Sequence, residues 1–332
     1  MRQADQDRDG LSAPDRSRGR AMLRARLALG AALLAAVALP AAAQATGAPK
    51  ATTGNARDVS FASATLAGTV NPNGENTSYY FQYGQTRAYG LQTGIADAGA
   101  GTGAVPARLA IGGLQPITVY HYRLVAVNAS GVATGGDQTL KTDKVPLSLA
   151  ILVSPNPVPF GGAVTVQGTL SGTGNANRAV VLQGNAFPFT TGFQNVGNAE
   201  LTTATGSFSF SVPSLLATTQ FRVSTTNAAV VSPVAGENVA VRVSSHVART
   251  RRRGFARIFG TVTPAVNGAE IGILRIAHGH GILAGGTRAQ PLNATSSRFS
   301  RVVRVRKGAY RVLAKVAPGA VISAYGTPLL IR

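Results

Sequence analysis

The sequence predicts an all-β protein: three tandem β-sandwiches behind an N-terminal leader. Three observations carry that prediction. Beyond residue 46, short alternating apolar stretches are punctuated by Gly, Pro, Asn and Asp, with almost no sustained 3.6-residue periodicity. Two landmarks then recur in order. The first is Gly-Thr-aliphatic, at Gly68-Thr69-Val70, Gly168-Thr169-Leu170 and Gly260-Thr261-Val262. The second is aromatic-Arg-aliphatic, at Tyr122-Arg123-Leu124, Phe221-Arg222-Val223 and Tyr310-Arg311-Val312. From first landmark to second the separations are 54, 53 and 50 residues, a near-constant spacing that implies one architecture used three times.

The N-terminus reads as an address. Leu27 to Leu39 is an apolar run of 13 residues, preceded by Arg24 and Arg26 and followed by Pro40 and Ala43-Gln44-Ala45. A basic start, a short apolar core and small residues at the cut site make a secretory signal peptide, with cleavage expected after Ala45. The other reading is a retained anchor, since the stretch to Ala45 just spans a bilayer if tilted; Pro40 and the small-residue end favour cleavage. Met22 is a second candidate start, with Met1 to Arg20 a translated upstream extension. No later apolar run is long enough to span, and no Leu-Pro-x-Thr-Gly sorting signal is present, so the mature chain is expected outside the membrane, secreted or in the cell envelope.

At 332 residues the chain has room for two or three domains that bury their own cores. It contains no Cys, which excludes a thiol nucleophile, a Cys-bound zinc, a disulfide framework and a lipid-modified N-terminal Cys. Low charge (13%) and the preference for Arg over Lys match the codon bias of a GC-rich bacterial genome. The formal charge is +20 and unevenly spread. Residues 245–332 carry 15 Lys and Arg against the single acid Glu270, whereas residues 46–244 carry 10 against 7 acids.

The first sandwich is expected over residues 46–143. In Tyr120-His121-Tyr122-Arg123-Leu124-Val125-Ala126, alternation puts Tyr120, Tyr122, Leu124 and Ala126 on one face, which should line a core. Leu114-Gln115-Pro116-Ile117-Thr118-Val119-Tyr120 has the Leu-x-Pro-x-Thr-x-Tyr pattern of fibronectin type III domains. Asn71-Pro72-Asn73-Gly74, Tyr79-Tyr80-Phe81-Gln82-Tyr83-Gly84 and Val127-Asn128-Ala129-Ser130-Gly131 also match. The stretch Gly54 to Lys141 therefore resembles that family. The resemblance implies a corner in which the tyrosine hydroxyl bonds back to upstream backbone. The family's usual Trp is absent, and Ile117 replaces its common Gly.

The second sandwich is expected over residues 145–244, with Ser154-Pro155-Asn156-Pro157 and Phe160-Gly161-Gly162 leading into Val164-Thr165-Val166 and a final alternation at Val239 to Val243. Residues 245–253, ending in Arg251-Arg252-Arg253, read as a basic linker. The third sandwich follows over residues 254–332, with Ile271-Gly272-Ile273-Leu274 and Val302-Val303-Arg304-Val305-Arg306 as strands. The second and third resemble the immunoglobulin-like modules that accompany fibronectin type III domains in exported actinobacterial proteins.

Acid/base catalysis needs two carboxylates, or a carboxylate and a His, at fixed distance. The acids sit mostly in turn-like sequence such as Gly136-Asp137, and no pair stands out. His278-Gly279-His280 is the only clustered metal-ligand type; its third and fourth ligands would have to come from distant His121, His246 or Glu270, so it reads as an exposed loop. Gly99-Ala100-Gly101-Thr102-Gly103 has no following helix and no Lys-Ser/Thr, so it is not a phosphate loop. No catalytic, cofactor or metal residue is assigned.

The feature suited to binding is the basic third sandwich. Arg301, Arg304, Arg306, Lys307, Arg311 and Lys315 fall on or between neighbouring strands, with Arg251, Arg252 and Arg253 just before them. Such a density attracts polyanions with an affinity that falls as salt rises. The partners expected are anionic cell-wall polymer or extracellular polysaccharide. Specific nucleic-acid recognition is not expected, because interleaved aromatics are missing apart from Phe299 and Tyr310, which a core would claim. The leading expectation is a non-enzymatic spacer or adhesive protein. The alternative is a carbohydrate-binding accessory protein, for which Tyr79, Tyr80, Tyr83 and Tyr89 are the place to look. An enzyme with an unrecognised site would need a deep pocket with converging polar groups.

Overall fold

The computed structural model describes residues 46–332. The leader expected over residues 1–45 lies outside the described residues. From Lys50 onward the secondary structure is strand, with no helix among the described residues. The sheets stack in pairs, giving three sandwiches of the fibronectin type III and immunoglobulin-like kind.

Each sandwich repeats one layout. A three-stranded antiparallel sheet is centred on the strand that carries the first landmark: Ser63–Asn71 between Lys50–Thr53 and Val105–Gly112, then Gly162–Ser171 between Ser148–Ser154 and Ser207–Leu215. The third is Phe255–Thr263 between Arg242–Arg249 and Ser297–Arg304, with Gln290–Pro291 added at its edge. The opposite sheet is centred on the strand that carries the second landmark. Val119–Asn128 pairs with Thr77–Gly84, Thr219–Thr225 with Ala179–Ala186, and Gly308–Lys315 with Glu270–Ala277.

The landmarks recur because the packing demands them. A Cβ on Gly68 would lie 2.5 Å from the Thr52 carbonyl oxygen and 2.8 Å from Leu124 Cδ2. On Gly168 it would run into the Ala150 carbonyl and the Phe208 ring, and on Gly260 into the Ser244 carbonyl and the Phe299 ring. The missing side chain thus lets the first strand's backbone and a core side chain close on the middle strand. In the second landmark Tyr122, Phe221 and Tyr310 are buried with Leu124, Val223 and Val312. The arginine between them turns to the opposite face and lies over an aromatic ring: Arg123 over Tyr89 at 4.7 Å, Arg222 over Phe193 at 4.1 Å, Arg311 over Tyr325 at 5.0 Å. In the first two sandwiches its Nε also donates to a cross-strand glutamine, Gln82 or Gln183, at 2.8 Å.

The tyrosine corner forms as expected. The Tyr120 hydroxyl accepts the Gln115 N–H at 3.0 Å, and Tyr120, Tyr122, Leu124 and Ala126 line the core of the first sandwich. Tyr310 makes a similar closure in the third, accepting the Arg306 N–H at 2.9 Å. Ile117, in place of the family's common glycine, has φ +53° and remains 49% exposed. That backbone region costs a β-branched residue about 1–2 kcal/mol, which explains why glycine is usual there.

Two expectations at the second boundary are corrected. Residues 245–253 are not a linker: Ser245 to Arg249 belong to the strand Arg242–Arg249, and residues 250–254 form its turn into Phe255–Thr263. The alternation of Val243 and Ser245 inward with Arg242, Ser244 and His246 outward is strand patterning, and the arginine run conceals it. The third sandwich therefore starts at Arg242, and Val239 to Val243 is not one final strand of the second. Val239–Ala240 pairs in parallel with Val158–Pro159, and the next residues cross into the third sandwich.

The junction is stitched. Thr218 N–H donates to the Ala320 carbonyl at 2.7 Å, Ile322 N–H to Val239 at 2.7 Å and Val241 N–H to Ile322 at 3.0 Å. Val239, Val241, Val243 and Val321 join the interiors of the second and third sandwiches into one hydrophobic cluster, while the first keeps its own.

Candidate functional site

The structure makes one acid–histidine pair that the sequence conceals. His121 Nδ1 lies 2.8 Å from Asp137 Oδ2, which also accepts from Arg87 Nε at 3.2 Å; Oδ1 accepts the Tyr89 hydroxyl at 3.1 Å. Burial works to raise the Asp137 pKa, but hydrogen bonds from His121 and Tyr89 and the charges of His121 and Arg87 outweigh it and hold the carboxyl below its usual range. All the partners are engaged with one another and Arg123 covers the Tyr89 ring. The cluster ties Arg87 and Tyr89 through Asp137 to His121 on the strand Val119–Asn128.

His278 and Gly279, with φ +51° and +78°, form a two-residue hairpin turn closed by Ala277 and His280. Among the described residues no three His, Cys, Asp or Glu side chains gather as metal ligands. A depression of about 600 Å³ on the second sandwich is lined by residues such as Ile151, Leu152, Gln167 and Ser209, with no titratable group. Of the tyrosines singled out for carbohydrate, Tyr79 is core, Tyr83 packs against the core and Tyr89 is capped. Tyr80, the fourth, is half-buried on the outer face of its strand.

The basic residues converge instead at one end of the third sandwich. The turn over residues 250–254 meets the turn after Ser297–Arg304 through a Val305 N–H to Gly254 carbonyl bond of 2.8 Å. This brings together Arg251, Arg252, Arg253, Arg304, Arg306 and Lys307, all exposed. Between the turns lies a cavity of about 470 Å³ whose lining includes Arg249, Arg306, Lys307 and Arg332 and no acidic side chain. The Thr250 hydroxyl bonds the Arg252 and Phe255 carbonyls, and the Arg252 guanidinium lies 4.2 Å from the Phe255 ring centroid, so the tip is ordered by its own contacts.

The remaining candidates lie elsewhere. Arg301 is exposed along its strand, opposite Ile258. Arg311 is half-buried over Tyr325 and donates to the Gly326 carbonyl at 3.3 Å. Lys315 is 3.9 Å from Glu270. Sequence reasoning missed Arg249 and Arg332 at the tip, and a second basic surface on the outer face of the sheet that holds Phe255–Thr263. The signal for that face was present in the two-residue alternation of Arg242, Ser244 and His246.

No protein-family model matches the chain, and no curated protein matches its sequence. Among solved structures it is similar to the FN1–FN3 domains of chicken CNTN1, at 14% identity over 85% of this chain and 96% of that one, TM-score 0.29. It is also similar to tandem domains from titin, at 14% identity over 86% and 99%, TM-score 0.36. A tetra-tandem repeat in the extending region of a large adhesion protein matches at 16% identity over 85% and 74%, TM-score 0.29. The sandwich assignment rests on the strand order described above.

Proposed function

We propose that the chain is a non-enzymatic, exported spacer or adhesive protein whose third sandwich contacts anionic polymer of a cell wall or extracellular matrix. The observation that carries this reading is the convergence of Arg249, Arg251, Arg252, Arg253, Arg306 and Lys307 at one end of the fold, around a cavity lined by no acidic side chain. Exposed cations with no acidic partner among the described residues keep their field beyond the surface, over about 8–10 Å at moderate salt. Counterion release then makes attachment to a polyanion steeply salt-dependent. The chain's own composition supports a local role: the first two sandwiches share the fold and are nearly balanced in charge, so the excess belongs to the third.

The test is retention of the mature chain on an immobilised anionic wall polymer across a salt series, beside a variant carrying Arg251→Gln, Arg252→Gln, Arg253→Gln, Arg306→Gln and Lys307→Gln. The variant should elute at clearly lower salt, with a shallower dependence of affinity on salt. Identical elution of the two proteins would refute the tip as the contact.

A further inference from the structure

The outer face of the third sandwich's first sheet carries a side-chain grid set by its register. His246, Phe259 and Ser300 form one row across the three strands. On one side of that row lie Ser244, Thr261 and Arg298, and on the other Ala248, Arg257 and Val302. Rows on one face are about 7 Å apart, so Arg257 and Arg298 flank Phe259 on either side along the strands. Arg257 lies over the Phe259 ring at 4.7 Å and the His246 ring packs on it at 5.7 Å and 35°. Ser244, His246, Arg257, Arg298, Leu292 and Ser300 border a shallow hollow of about 320 Å³ above the sheet, and its lining includes no acid.

The same architecture elsewhere in the chain serves as an internal control. Aligning Gly260 with Gly168, the registers place Leu152 where His246 stands, Thr165 for Arg257, Gln167 for Phe259 and Ser207 for Arg298. Four neighbouring neutral positions of the second sandwich have thus become two arginines, a histidine and the aromatic ring that holds them. A general preference for Arg over Lys does not account for this, because the second sandwich has no charged side chain at those positions.

We propose that this face is a binding site for a segment of acidic polysaccharide that bears carboxylates. Arg257 and Arg298 each pair with an acid group through charge-assisted hydrogen bonds. Ser244, Thr261, Ser300 and the His246 ring supply hydroxyl and ring partners for sugar hydroxyls. Phe259 is a positioning residue: it fixes Arg257 and His246 by stacking, which lowers the entropy they lose on binding. Phe259 also lines the hollow, but Arg257 and His246 already occupy its ring, which favours a sugar carboxylate over a nucleobase that needs a free aromatic face. The inference rests on the third sandwich being an anionic-surface contact, but it places specific recognition on the sheet rather than at the tip.

The experiment measures binding of the mature chain to a galacturonate oligomer by calorimetry at about 0.3 M salt, where the Debye length falls to several ångströms and long-range attraction is suppressed. Variants take the residue that the second sandwich uses at the same position, which keeps the strand pattern: Arg257→Thr with Arg298→Ser, and Phe259→Gln. The double variant should lose roughly tenfold affinity per guanidinium, and Phe259→Gln a smaller factor. The five-residue tip variant should bind the oligomer within about twofold of the parent at this salt, while losing its column retention at low salt. No measurable binding by the parent would overturn the inference. So would equal losses in face and tip variants, or a single-stranded oligonucleotide that outcompetes the galacturonate. Failure of the tip variant to change low-salt retention would count against the proposed function alone.

Discussion

Glu237 is an acid enclosed in an apolar setting. It sits on the strand Ala235–Glu237 opposite Thr219, at 0% exposure, and neither carboxylate oxygen has a hydrogen-bond partner among the described residues. The nearby Val158 N–H is already committed to the Asn238 carbonyl at 2.9 Å and offers little relief. Burial pushes the Glu237 pKa up from 4.5 to about 7. A folded-state pKa above the unfolded one means the folded protein holds the proton more tightly. Its contribution to stability is therefore complete below about pH 4.5, declines as pH rises and is lost once pH passes about 7. A shift of this size corresponds to about 3 kcal/mol. Thermal unfolding followed from pH 4.5 to 8 should show the parent losing stability across that window and Glu237→Gln losing much less. Parallel pH profiles for the two proteins would show that the side chain is solvated or paired. Asp137 illustrates the opposite balance, since its hydrogen bonds and neighbouring charges hold it ionised to lower pH than an ordinary carboxyl.

At the scale of the strand, the recurring glycine is the position on which each three-stranded sheet depends. Gly260→Ala and Gly168→Ala would drive a methyl into a neighbouring strand's carbonyl and a core phenylalanine, and both obstacles are fixed by packing. Each substitution is expected to cost about 1–3 kcal/mol or more, read as a drop in denaturation midpoint. Gly103→Ala, with nothing within 4 Å of the added carbon, should change stability by less than about 0.5 kcal/mol. A cost at Gly103 matching that at Gly260 would mean backbone freedom, rather than close approach, explains the landmark. These strands were legible because a half-buried strand writes its burial into alternate residues, and because a residue selected by backbone contact cannot vary from copy to copy. Tyr120 and Tyr122 were readable for the same reason. The strand Arg242–Arg249 was not, since its inward residues Val243, Ser245 and Val247 are small or half-exposed and the cations around them read as a solvated segment.

At the scale of the whole molecule, charge density along the chain located the basic sandwich but not its arrangement in space. The tip exists because Phe255–Thr263 pairs along its length with Ser297–Arg304 and the Val305 to Gly254 bond extends that ladder, joining two turns about 50 residues apart, and no local pattern encodes that pairing. Arg311 lies away from the tip, with its guanidinium over the ring of Tyr325, fourteen residues later. The same limit hid the junction, where Val239, Val241 and Val321 fuse two interiors that the sequence presents as separate modules. A shared interior has a thermodynamic consequence. Removing packing from the third sandwich must also weaken the second, while the first, with its own cluster, stays independent. Ile273 is fully buried in the third sandwich, and Ile273→Ala should cost about 2–5 kcal/mol. Calorimetry of the parent should resolve two transitions, one for the first sandwich and one for the second and third together. Ile273→Ala should lower only the combined transition, by on the order of 10 °C. Amide exchange along Gly162–Ser171 should quicken in parallel, although that strand lies in the second sandwich. Three separate transitions, or unchanged exchange along Gly162–Ser171, would show that the valines at the junction touch without coupling. Phe81→Ala, in the core of the first sandwich, should give the mirror result, lowering the other transition and leaving the combined one in place.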